Sequence, residues 1–259
     1  MEEEHFIHKL RNALSESITR KLNLTAIDEG IFHISFEEFP QEILCYANHI
    51  KKRISGEYPA PTIHLDQDQI EFLLPKIGAR LKGIMHCEHK IFARQTVVAR
   101  INKNVSLEFQ EEHHLQLPIA GKYRYGLFYQ GELVSIAVFS AGRKMSGQPD
   151  TYRSFELIRF CHKNSLLVVG GLSKLIHAFA KDFPVNDLMT YVDLDWTQNS
   201  NLTSLGFKEK GRIAPQFYWI NGAERKIFKL YEHAVAQQQI QQTGHVKSNS
   251  GSIKMVLEL

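Results

Sequence analysis

The sequence predicts a mixed α/β fold, a mostly antiparallel sheet flanked by helices and preceded by a mostly helical region. Three observations carry that prediction. Short β-branched and aromatic runs alternate with amphipathic stretches over residues 91–222. Two of those runs, Tyr125–Tyr129 and Glu132–Phe139, are separated only by Gln130-Gly131, a hairpin signature. A Gly170-Gly171 pair then joins an apolar run to a helical stretch with Leu172, Leu175, Ile176, Phe179, Ala180 and Phe183 on one side.

The linear order suggests residues 1–90 as a mostly helical region, 91–222 as the core, and 223–259 as a C-terminal helix with a disordered tail. Phe6, Ile7, Leu10, Leu14 and Ile18 recur at helical spacing over 4–22. Ile31–Phe36 alternates at period two and reads as a strand. Gln41–Ile54 reads as a helix behind Pro40, residues 55–61 as a loop, and Asp66–Gly83 as a helix interrupted near Pro75.

Within the core, Thr96–Ile101 is a strand, and Asn104 caps a helix that ends at His113. After the hairpin come a polar loop, a strand Ser154–Cys161, the glycine pair and its helix, which Pro184 stops. A buried strand Leu188–Asp193 follows, then a short helix 200–205 ended by Gly206, and a last strand Gln216–Ile220. Glu224–Ala236 fits a final helix, and the Gln-rich and Ser/Gly-rich remainder reads as a disordered tail.

Composition narrows the function classes. With 259 residues, 43% apolar and 23% charged, the chain can bury a core, which excludes wholesale disorder, a collagen-like fibre and a disulfide scaffold. No apolar run reaches the roughly 18–20 residues that span a bilayer, so no membrane partner is expected. The acidic start Met-Glu-Glu-Glu-His lacks a secretory pattern, and Cys45, Cys87 and Cys161 form no C-x-x-C; a reducing cytoplasm is the expected address. A net charge of +3 is too small by itself to indicate nucleic acid.

The order strand, helix, hairpin, strand, Gly-Gly turn, helix, strand, short helix ending Leu205-Gly206-Phe207, strand resembles the GNAT-type N-acyltransferases over about residues 91–220. The motif segments are Gly170-Gly171-Leu-Ser-Lys-Leu-Ile176 and Asn201-Leu-Thr-Ser-Leu-Gly-Phe207. Segments such as Lys90–Thr96, Lys122–Phe128, Phe155–Phe160 and Tyr191–Trp196 also resemble a phage and mobile-element family. More distantly, Glu156-Leu-Ile-Arg159, Tyr191-Val-Asp193 and the placing of His114 are similar to the phage Mom proteins, GNAT-like enzymes that modify adenine in DNA.

The resemblance implies acetyl-CoA or a related acyl-CoA as cofactor, an amine as acceptor, and an acyl-CoA-dependent N-acyltransferase. It assigns the pyrophosphate turn to Val169, Gly170, Gly171, Leu172, Ser173 and Lys174. The physics agrees, because the first N–H groups of a helix lack intrahelical acceptors and sit at the positive end of its dipole. Val168 departs from the family pattern, which starts this turn with Gln or Arg.

His114, Glu156 and Asp193 are the candidate catalytic acids and bases. Tyr125, Arg159, Tyr191 and Trp196 are the candidate substrate contacts. Glu156 and Arg159, three apart on one strand, are expected on opposite faces. The His pair 113–114 and the run His86-Cys87-Glu88-His89 have no metal-site spacing, so no metal is expected. The alternative function is a DNA-binding or DNA-modifying accessory protein. There Tyr123, Arg124, Tyr125, Arg143 and Lys144 would contact nucleic acid.

Overall fold

The computed structural model describes residues 5–18, 21–37, 39–54, 61–85, 89–164, 166–196, 202–228 and 244–259. The fold is mixed α/β. The chain groups into two compact units, each assembled from separate stretches. One holds Met1–Gly78, Val192–Ser200 and Arg212–Ile253; the other holds Ala79–Tyr191, Asn201–Gly211 and Lys254–Leu259.

The first unit opens with α1 (His5–Ser17), whose Phe6, Ile7, Leu10 and Leu14 are buried as the spacing requires. A four-stranded sheet follows in the order β1 (Leu22–Asp28), β2 (Ile31–Phe36), β3 (Phe39–Tyr46), β4 (Thr62–Asp66). Phe6 meets Phe32 of that sheet edge-on at 5.7 Å. The helix expected over 41–54 is therefore a strand in its first half: Ile43, Leu44, Cys45, Tyr46 and Ala47 are all wholly buried. A strand covered on both faces has a continuous apolar run, which periodicity alone cannot tell from a buried helix.

After α2 (Gln67–Ile84), which runs through Pro75 rather than breaking there, come the strand β5 (His89–Phe92), a helical turn at Ala93–Gln95, β6 (Val97–Arg100) and α3 (Lys103–His113). The cap of α3 is Asn102, not Asn104: its side chain accepts the N–H of Val105. The hairpin joins β7 (Tyr123–Tyr129) to β8 (Glu132–Phe139), with Gln130 and Gly131 both at positive φ (51° and 84°), as a tight primed turn requires. Then follow β9 (Ser154–His162), β10 (Leu166–Val169), α4 (Gly171–Asp182) and β11 (Asp187–Asp193).

The second unit is built on a seven-stranded sheet in the order β12 (Lys208–Ile213), β16 (Ser252–Glu258), β11, β9, β8, β7, β6. One sheet face receives α4, where the Phe179 ring stacks on Phe139 at 4.0 Å and meets Phe155 edge-on at 5.1 Å. On the other face, Phe109 of α3 clusters with Ile136, Val138 and Cys161. Removing a ring as buried as Phe179 costs about 3–5 kcal/mol.

Two further corrections concern the C-terminal part. Residues 217–221 are not the sheet's last strand: β13 (Phe217–Asn221) lies in a separate three-stranded sheet between β14 (Glu224–Phe228) and β15 (His245–Ser248). The helix expected from Glu224 begins instead as strand β14, and its remainder, with the Gln-rich run, lies outside the described residues. The expected disordered tail ends in β16, inserted between β11 and β12.

The first unit also buries a charge network. Asp66 is wholly buried and lies 2.5 Å from Arg53, 2.7 Å from Arg225 and 3.3 Å from Lys247. Arg53 reaches on to Asp195 at 2.7 Å, and Arg225 to Asp68 at 2.9 Å. Burial pushes the Asp66 carboxyl up, but Arg53, Lys247 and Arg225 override it and hold it below the usual carboxylate range. The exposed-looking basic run Lys51-Lys52-Arg53 thus contributes one buried guanidinium, that of Arg53.

Candidate active site

The two parallel neighbours at the centre of the seven-stranded sheet, β9 and β11, pair over only three positions: Ser154 with Asp187, Phe155 with Leu188, and Glu156 with Met189. Both strands continue beyond that point. The cause lies in β9, where Leu157 faces Phe139 and Arg159 faces Val138 of β8, leaving Ile158 as an extra residue. Such a bulge bends a strand and interrupts its ladder. Past it, the backbone groups of β9 that face β11 have no ladder partner there, and the side chain of Thr190 reaches Leu157 O at 2.9 Å.

The bulge also changes which side chains share a face. Because Leu157 and Arg159 sit opposite neighbouring residues of β8, Glu156 and Arg159 lie on the same face, contrary to the alternation expected from their spacing. Met189, opposite Glu156, and Tyr191, two residues on, belong to that face as well.

Glu156 forms an ion pair with Arg143 at 3.3 Å, and its backbone N–H donates to Ser140 Oγ. The Arg159 guanidinium donates to Ile158 O at 2.9 Å and to Leu117 O at 3.3 Å. Its buried Nε has no hydrogen-bond partner among the described residues. Burial lowers its pKa, against an upward pull from Glu156. Leu117 belongs to the loop after α3 that begins at His114. There the backbone N–H of His114 closes the helix on Gln110 O, and its Nδ1 accepts the Gln116 N–H at 3.0 Å.

The glycine turn follows β10. Gly170 adopts φ 75° and ψ 6°, a left-handed conformation that a side chain resists, directly before the first residue of α4. Gly171 is small for a different reason: a Cβ there would meet Val168 at 3.2 Å and His162 at 3.3 Å. Val168 is thus buried against the turn.

The helix has no side-chain cap, so its leading N–H groups are the donors the turn offers. Ser173 Oγ lies 3.4 Å from His177 Nδ1. The Lys174 ammonium is engaged with Ala93 O at 2.8 Å and with Thr96 O, fixing the β5–β6 connection beside the turn.

The remaining predicted site residues lie elsewhere. The buried Tyr125 donates its hydroxyl to Asp182 at 2.5 Å, at the last residue of α4. That is about 16 Å along the helix from Gly171. Asp193 and Trp196 fall in the first unit. There Asp193 Oδ1 accepts the Asp195 backbone N–H at 3.0 Å, and the backbone N–H of the buried Trp196 donates to Asp193 O. The basic and aromatic groups considered for nucleic acid are individually engaged. Tyr123 packs on Phe183 at 4.1 Å, Arg124 donates to Ala120 and Gly121 carbonyls, and Lys144 pairs with Asp150. Residues 86–88 and 197–201 lie outside the described residues.

Met189 and the bulged Ile158 are not singled out by the sequence, and Arg143 is read there only as a nucleic-acid contact, not as the partner of Glu156.

No protein-family profile matches the chain, and no curated protein matches it in sequence. Solved structures similar to it include the ribosomal-protein-S18-alanine N-acetyltransferase from Escherichia coli, at 12% identity and TM-score 0.39, covering 63% of this chain and 93% of that one. An IAA acetyltransferase from Bacillus cereus is similar at 14% identity and TM-score 0.33, covering 63% and 99%. A GNAT family acetyltransferase from Elizabethkingia anophelis with acetyl-CoA bound is similar at 12% identity and TM-score 0.34, covering 64% and 99%.

Proposed function

We propose that the protein is an acyl-CoA-dependent N-acyltransferase acting on an amine. The observation that carries this reading is the parting of β9 from β11 after Glu156 and Met189, beside a bulge, with the glycine turn that opens α4 packed near His162 at the end of β9. One side of that arrangement offers backbone donors for a phosphate, and the other offers a carboxylate and a guanidinium on a single face.

The residues present fit acetyl-CoA through the backbone. The N–H groups of Gly171, Leu172 and Ser173 would hold a pyrophosphate, with the hydroxyl of Ser173 beside them. Lys174 supports the turn through Ala93 and Thr96 rather than offering a free charge. When bound, acetyl-CoA supplies an activated acyl group.

Glu156 serves as the base, a role supported by its pairing with Met189 at the last position where the two strands run together. Its carboxylate takes the amine proton, and Arg143 pairs with it at 3.3 Å when no substrate is present. Backbone N–H groups of β9 past Ile158 face the opening and polarise a carbonyl placed there. The Arg159 guanidinium, on the same face, orients the acceptor. His114, whose Nδ1 holds its own loop, and Asp193, which caps a turn, are the alternative bases.

Incubation with acetyl-CoA and a panel of amines, with thiol release as the readout, tests the reading. Turnover with at least one amine that disappears in Glu156→Gln supports it. Thiol release in Glu156→Gln equal to that of the unsubstituted protein removes Glu156 from the mechanism.

A further inference from the structure

Next to Glu156 on the same sheet face lies a cavity of about 270 Å³ whose chemistry none of the residues discussed above absorbs. Ser154 precedes Glu156 by two residues, so the cavity begins about 7 Å along β9 from that carboxylate. Met145, Met189 and Val256 form its apolar walls. Asp187 lies within it, but both its oxygens are satisfied, accepting from Tyr152 Oη and Ser154 Oγ at 2.6 Å each. Lys210 and Glu258, mutually paired at 3.7 Å and largely exposed, make a rim. Lys254 is different: it is half-buried, lines the cavity, and makes no ion pair among the described residues. A half-buried lysine without an anionic partner among the described residues, lining a pocket with apolar walls, is a site for an anion.

We propose that this cavity receives the acceptor, and that the acceptor is an amino-acid-like molecule: an amine joined through a short apolar body to a carboxylate. The carboxylate meets Lys254, the body lies on Met145, Met189 and Val256, and the amine points along β9 to Glu156. Naming the ligand an acceptor rests on the acyltransferase reading; its binding does not. Lysine rather than arginine suits a single carboxylate held as a point charge. The simplest molecule of this class is 6-aminohexanoate, an amine and a carboxylate joined by five methylene groups.

Methyl-¹³C methionine labelling gives a direct readout, because two methionines line the cavity and Met85, buried elsewhere, reports on the fold. Titration with 6-aminohexanoate is expected to move the Met145 and Met189 signals saturably and leave Met85 in place. Hexylamine, which lacks the carboxylate, is expected to bind about tenfold more weakly. Lys254→Gln should bring 6-aminohexanoate down to that level, whereas Lys210→Gln should not.

Silent Met145 and Met189 signals, or an unchanged affinity in a folded Lys254→Gln, overturn the proposal. Acetyl-CoA binding by calorimetry on the same sample separates the two readings. Bound acetyl-CoA with silent methionines overturns the acceptor site alone. Methionine shifts without acetyl-CoA binding uphold the carboxylate site and overturn the acyltransferase reading.

Discussion

Glu156 and Arg159 share one face of β9 because Ile158, between them, is bulged out of the ladder with β8. Without the bulge, Arg159 would point to the α4 face, where Phe139, Phe155 and Phe179 are packed. A charge there would be desolvated without a partner. The single extra residue therefore puts a carboxylate and a guanidinium on one face, at the point where β9 and β11 stop pairing.

Glu156→Gln should keep the fold, since its ion pair with Arg143 is partly exposed and worth about 1 kcal/mol or less. Thiol release should fall by about a hundredfold or more, with acetyl-CoA affinity unchanged. Measuring turnover and binding side by side checks this, and loss of both together would make Glu156 structural.

Gly170→Ala should destabilise the protein by about 1–2 kcal/mol, because an alanine is forced to φ 75°. It should also weaken acetyl-CoA binding by tilting the leading N–H groups. Gly171→Ala meets Val168 and His162 instead, an overpacking cost of about 1–3 kcal/mol. Urea unfolding and calorimetric titration of both variants test the separation of these two causes.

Asp66→Asn should be far more damaging than any surface charge change, by about 3–5 kcal/mol, since it leaves Arg53, Arg225 and Lys247 buried with their common carboxylate gone. A urea midpoint close to that of the unsubstituted protein would show that the network carries little of the stability.

Acidification should destabilise the protein before its carboxylates titrate. Burial lowers the His64 and His162 pKa values from 6.5 to about 4. The unfolded chain then binds protons between those limits that the folded chain refuses. The histidine contribution is thus present above pH 6.5 and is lost as pH falls toward about 4. The urea midpoint is expected to drop over that window, and His162→Gln to shallow the drop. A flat midpoint would contradict the burial of both rings.

Much of the central sheet was legible because its signals are local. Gln130-Gly131, Pro184 and the Gly170-Gly171 pair each fix a turn by residue chemistry alone. The edges were not. β16 returns to the sheet after an inserted three-stranded sheet, and no local pattern tells a Ser- and Lys-containing run that its partner is β11. β3 was misread because a fully buried strand and a buried helix have the same apolar content over eight residues. The candidate site was legible as residue types, Glu156 and Arg159 included, but not as geometry. A bulge depends on how two strands register, and the sequence of β9 alone contains no mark of it.

Isothermal titration of the protein with acetyl-CoA, with adenosine diphosphate as control, tests the central claim most directly. Saturable one-site binding that the diphosphate does not match, weakened in Gly170→Ala, is the predicted result. Absence of binding at millimolar acetyl-CoA by the folded protein would contradict the acyltransferase account.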